Sequence, residues 1–146
     1  MNDPAAIEYL ARCHCGVLTA RYRTTVPPAD WSVRACQCSF CRAHASLTTS
    51  DPAGSLTFAV RGEARLQRYR FDSRTADFLI CRDCGVYVGA RCDTDHGAFG
   101  VLNVRTLRPP PAGLKDPLLI DLGPESVGER AARRSERWTP VSPGSL

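Results

Sequence analysis

At 146 residues the chain has room for one compact domain with a real core, and not for two ordinary ones. Hydrophobic residues at 43% and charged residues at 23% exclude wholesale disorder, and no apolar run approaches the roughly 18 residues of a membrane span. A formal charge of +4, from 19 basic and 15 acidic side chains, is too mild to point to nucleic acid.

The opening residues, MNDPAAIEYLARC, lack a basic stretch followed by an apolar one, so no secretory signal is read and a cytoplasmic protein is expected. Cys13-His14-Cys15-Gly16 follows, and residues 17–22 mix β-branched and aromatic side chains as a strand would. Pro27-Pro28 marks a loop before a second strand at 31–36, which runs into Cys36-Gln-Cys38-Ser-Phe-Cys41. Residues 51–54 read as a loop, and 55–60 and 63–71 as strands joined across Arg61-Gly62. A strand at 76–81 leads into Cys81-Arg-Asp-Cys84-Gly85, one at 86–91 leaves it, and 99–107 supplies another alternating run. After the Pro109–Pro111 cluster one helix is expected, about 125–138, with acidic residues near its start and Pro140 past its end. Its expected inner face is Val127, Ala131 and Trp138. Its arginines, 130, 133, 134 and 137, suggest an anion patch, but Glu129 and Glu136 are interleaved with them; the helix is read as solvated on that face and no function is attached to it. These elements predict an all-β, mainly antiparallel fold of short strands with one C-terminal helix, a single domain over 1–146.

Seven of the eight cysteines fall in the three tight groups. Disulfide frameworks spread their cysteines along secreted chains, and nothing here marks an export signal. Metal binding is the reading that remains, and Zn²⁺ suits such thiolate sets. Joining Cys13 and Cys15 to the Cys81–Cys84 knuckle gives a closed four-cysteine site, a structural zinc. That leaves Cys36, Cys38 and Cys41, and three protein ligands with one open position is the pattern of catalytic zinc. His44 offers the alternatives: a fourth ligand closing this site, a proton-transfer group, or a plain loop residue. Swapped ligand sets also stay open. Two zinc ions on seven thiolates would bring the formal charge to about +1, which weakens any case for a polyanionic partner. Cys92 reads as a buried thiol, and His14 and His96 as loop residues.

With CHCG, CQCSFC and CRDCG in that order, the chain resembles the glutathione-dependent formaldehyde-activating enzyme family, which also includes centromere protein V. The likeness extends into GVLNVRTL at Gly100–Leu107 and loosely into the C-terminal tail. It implies a zinc-containing β-tent, a structural zinc on Cys13, Cys15, Cys81 and Cys84, and a second, labile zinc on Cys36, Cys38 and Cys41. It also implies glutathione and an aldehyde as small-molecule partners, joined as in S-hydroxymethylglutathione formation, formally a carbon–sulfur lyase in reverse. In that setting Arg42 is a candidate for a glutathione carboxylate and Asn103 a candidate pocket residue. The rival expectation is a non-catalytic zinc-stabilised binding module. Neither the aldehyde, the thiol nor the oligomeric state is fixed by the sequence.

Overall fold

The computed structural model describes residues 4–146; the first three residues, part of the segment read for a secretory signal, lie outside it. Alternation builds the first sheet. In β2 (Leu18–Thr24), Leu18, Ala20, Tyr22 and Thr24 point inward while Arg21 and Arg23 face water. β1 (Ile7–Arg12) and β5 (Ser55–Val60) flank it antiparallel, giving the order β1-β2-β5.

The second sheet collects most of the remaining strands. These are β3 (Arg34–Cys36), β4 (Thr48–Thr49), β6 (Leu66–Tyr69), β7 (Asp77–Cys81), β8 (Tyr87–Thr94), β9 (Gly97–Asn103) and β10 (Leu118–Ile120). Their order is β10-β3-β4-β9-β8-β7-β6, and β11 (Thr139–Pro140) pairs β9 from the side. Every pairing is antiparallel except that of β10 with β3. Among the described residues two α-helices accompany the strands: α1 (Ser39–His44) follows β3, and α2 (Val127–Arg137) precedes β11.

Two cores result. The larger packs Leu18, Tyr22, Leu56 and Phe58 of the small sheet against Leu79, Val88 and Leu102 of the large one. The smaller lies between the large sheet and α2 and holds Ala76, Tyr87, Ala90, Cys92, Val101 and Trp138, with Phe40 and Phe78 at its edge. β8 serves both. Its alternation is broken where Ile80 pairs with Tyr87 while Leu79 pairs with Gly89, a slip of one residue. This bulge puts Tyr87 on the same side as Ala90 and Cys92, and gives Val88 to the other core.

The all-β reading holds, with several departures in detail. The strand expected at 63–71 opens with a 3₁₀ turn at Glu63–Arg65, and the run at 99–107 becomes a 3₁₀ turn at Val104–Thr106. β1, β4, β10, β11 and α1 had no counterpart in the expected elements. The late helix is present, held by a capping box in which Ser126 Oγ accepts from Glu129 N at 3.1 Å and Glu129 Oε1 accepts from Ser126 N at 3.0 Å. Its expected inner face is corrected: Trp138 is buried, but Val127 is 60% exposed and Ala131 faces solvent. The arginine face turns inward instead. Among the described residues no helix is long and apolar enough to cross a membrane.

Gly89 tests the contact between the layers. A Cβ there would stand 2.5 Å from the Val101 carbonyl oxygen and 2.8 Å from the Phe58 ring. Gly89→Ala should therefore cost about 1–3 kcal/mol in urea unfolding of the zinc-loaded protein. Unchanged stability would show that the sheets pack more loosely than described.

Candidate metal centres and the adjoining cavity

Two turns build the first cysteine cluster. Cys13 and Cys15 lie between β1 and β2, where Gly16 takes φ +85° and Cys13 N donates to Leu18 O at 2.8 Å. Cys81 ends β7 and Cys84 lies in the turn to β8, where Gly85 takes φ +79° and its N–H donates to Cys81 O at 2.8 Å. The four sulfurs lie within 4.8 Å of one another. Cys15 Sγ is 3.7 Å from Cys13 Sγ and 3.6 Å from Cys81 Sγ. Zn–S bonds of about 2.3 Å at a tetrahedral angle place sulfurs about 3.8 Å apart, so the donor set and spacing fit zinc. Leu18 N donates to Cys13 Sγ at 3.3 Å, the kind of amide support a metal-bound thiolate takes.

The second cluster is local. Cys36 ends β3, Cys38 caps the start of α1, and Cys41 sits on the helix. Their three sulfurs also lie within 4.8 Å of one another, and Cys41 N donates to Cys38 Sγ at 3.4 Å. His44 is not part of this group. Its imidazole is exposed and lies against the Phe40 ring, 4.4 Å between centroids.

The second cluster opens into a cavity of about 270 Å³. Cys36, Cys38 and Cys41 form one wall, and Tyr87 and Phe78 lie beside them. α2 lines the cavity as well, with Arg130, Arg133 and Arg134, and Trp138 lines it just beyond the end of the helix. Tyr87 is 1% exposed, its ring packs edge-on to Phe40 at 5.0 Å, and its hydroxyl has no hydrogen-bond partner among the described residues. A buried polar group left unpaired costs about 1–3 kcal/mol, so this hydroxyl is a group awaiting a partner. Sequence reading missed it. Period-2 alternation would place residue 87 opposite Ala90 and Cys92, and only the bulge reverses that.

A protein-family model described as glutathione-dependent formaldehyde-activating enzyme matches residues 8–115. The chain belongs to this family. A crystal structure of a Rhodobacter sphaeroides protein superposes with a TM-score of 0.57 at 25% identity, covering 76% of this chain and 99% of that one. Both cysteine clusters lie inside the matched family segment, and all of α2 lies outside it.

The other expected site residues are placed as follows. Arg42 is exposed on α1 and does not line the cavity. Asn103 is buried behind it: Nδ2 donates to Tyr87 O at 2.9 Å, and Oδ1 accepts from Arg105 N at 3.2 Å. Cys92 is a buried thiol of the smaller core, raised by burial, and lies outside both clusters. His14 and His96 are exposed in turns.

The thiols are unequally poised. Burial pushes Cys81 up to about 12. Burial acts on Cys84 as well, but backbone donors at Cys15 and Val86 overcome it and hold this thiol down at about 6. In the second cluster a hydrogen bond from Cys41 holds Cys36 at about 6, and Cys41 is raised by that bond and by burial. Metal-free protein at pH 7 thus keeps protons on Cys41 and Cys81 that zinc must displace. Zinc affinity should fall as pH falls, and uptake should release roughly two or more protons per fully loaded chain. Calorimetry in two buffers of different ionisation enthalpy measures this. No proton release would contradict the assigned ligands.

Proposed function

We propose that this protein is a zinc-dependent enzyme that makes and breaks the carbon–sulfur bond between a thiol, such as glutathione, and an aldehyde, such as formaldehyde. The observation that carries this reading is the three-cysteine cluster facing a cavity with His44 outside it. Cys13, Cys15, Cys81 and Cys84 would hold a structural zinc, and Cys36, Cys38 and Cys41 a second one. Zinc on three thiolates supplies Lewis acidity at one open position and favours the thiolate form of a thiol at neutral pH.

The chain's own residues do the rest. The cavity holds thiol and aldehyde together and replaces much of the water around them. As sulfur bonds to the carbonyl carbon, negative charge grows on the aldehyde oxygen. The unpartnered Tyr87 hydroxyl is the donor proposed to meet it. Burial raises this phenol well above its ordinary range, so it remains a donor at neutral pH. The proton lost by the thiol ends on the adduct oxygen, which balances the addition. His44, exposed and 5.8 Å from the Tyr87 ring between centroids, is proposed to exchange that proton with solvent. Asn103 acts as a positioning residue through the Tyr87 carbonyl. Closure of the second cluster through His44 would support the binding-module alternative; the position of His44 outside the three-cysteine group supports the enzyme reading.

Exchange spectroscopy by NMR with glutathione and formaldehyde tests the reading. The zinc-loaded protein should accelerate exchange beyond the protein-free rate, and Cys38→Ser should abolish the acceleration. No acceleration with two zinc ions bound would overturn it. Tyr87→Phe should lower the enzymatic rate about 100-fold while leaving unfolding stability unchanged or raised, because it removes a hydroxyl with no partner. A parallel loss of stability would instead mark the hydroxyl as structural.

A further inference from the structure

Part of the lining of the cavity beside the three cysteines comes from α2, which follows the segment matched by the family model. The interleaving with glutamates does not leave all four of its arginines solvated: Arg134 is buried, Arg130 and Arg133 are half-buried, and Arg137 is exposed. Glu129 and Glu136 point to water, while Arg130, Arg133, Arg134 and Arg137 line the cavity, joined by Arg34 of β3. Two of the five are answered by carboxylates. Arg133 is bidentate on Glu125 at 2.8 and 3.1 Å, and Arg130 meets Asp72 at 2.7 Å. Among the described residues, Arg34, Arg134 and Arg137 have no carboxylate within 4.0 Å.

Arg134 is the most constrained. It is 7% exposed, Nη1 donates to Thr75 Oγ1 at 2.8 Å, and the guanidinium lies 4.8 Å above the Trp138 ring. Its buried Nε has no hydrogen-bond partner among the described residues. Arg34 is held by Ser50 Oγ at 2.8 Å and Ser32 Oγ at 3.3 Å, both neutral. Like charges gathered in a part-buried cavity are costly unless a counter-charge arrives. Zinc on three thiolates would bring one negative charge, too little for three unanswered guanidinium groups.

We propose that this arginine wall is a binding subsite for a carboxylate carried by the substrate thiol, whose sulfur lies toward Cys36, Cys38 and Cys41. A guanidinium fork matches a carboxylate with two parallel charge-assisted hydrogen bonds, which makes the wall selective as well as attractive. The position of the sulfur rests on the thiol–aldehyde reading, whereas the anion subsite stands on the arginines alone.

S-Methylglutathione separates the two ideas, since it keeps both carboxylates but has no thiol to react. Its binding to the zinc-loaded protein should be at least about tenfold tighter than that of its diethyl ester. Arg137→Gln, an exposed position with little effect on folding, and Arg34→Gln should each weaken the acid at least about fivefold and leave the ester unchanged. Equal binding of acid and ester, or of variants and wild type, would overturn the subsite. Should exchange be accelerated as well with cysteamine, which has no carboxylate, as with glutathione, the subsite fails and the thiol–aldehyde reading survives. Arginine-dependent binding without any accelerated exchange would have the opposite meaning.

Discussion

The sulfur of Cys15 lies 3.6 Å from that of Cys81, 66 positions further along the chain, and the rest of the site is positioned from this meeting. Loop closure over such a distance carries an entropic cost that a metal-bound cluster offsets through its binding free energy. The clamp ties the β1–β2 turn of the small sheet to the β7–β8 turn of the large one. β8 starts directly beyond Cys84 and Gly85, so the clamp sets where that strand begins. Tyr87 is its first residue. The first cluster thus places a hydroxyl beside the second, which lines the cavity.

The large sheet has different duties on its two faces. Toward the small sheet it is apolar and closely fitted, with Gly89 admitting the Phe58 ring. Toward α2 the apolar contact is confined to a few side chains around Trp138, and the remaining space is the cavity. The bulge in β8 is the device that assigns Tyr87 to the second face and Val88 to the first. α2 does not close its side with an apolar stripe; it turns arginines toward a cavity otherwise lined largely by apolar side chains. Arg134 laid over Trp138 substitutes for the aliphatic packing expected of a helix on a sheet.

The grouping of the cysteines into two clusters that could hold a metal was legible because ligand spacing is local: CxC, CxCxxC and CxxC keep their meaning wherever the strands run. The strand at 55–60 was equally legible, because its alternation is uninterrupted between turn residues. Tyr87 was not, since a bulge is a property of the pairing and reverses the face that alternation predicts. The inner face of α2 was misjudged for a related reason. Val127 and Ala131 are the apolar choices on a helical wheel, but what a helix buries depends on what lies beneath it. β1 and β10 escaped notice as edge strands, with Ile7, Leu10, Leu118 and Leu119 largely exposed. The open or closed state of the second cluster needed the placement of His44, which three residues of spacing leave undetermined.

The central claim is that three cysteines leave one coordination position for an incoming thiol. Zinc X-ray absorption on the fully loaded protein addresses it directly. Without added thiol, one four-sulfur and one three-sulfur site should average about 3.5 sulfurs per zinc, with a light oxygen ligand completing the second. Adding glutathione should raise the average to about four sulfurs as that oxygen is lost. An imidazole signature that persists when glutathione is added would show the second site closed by histidine and contradict the account.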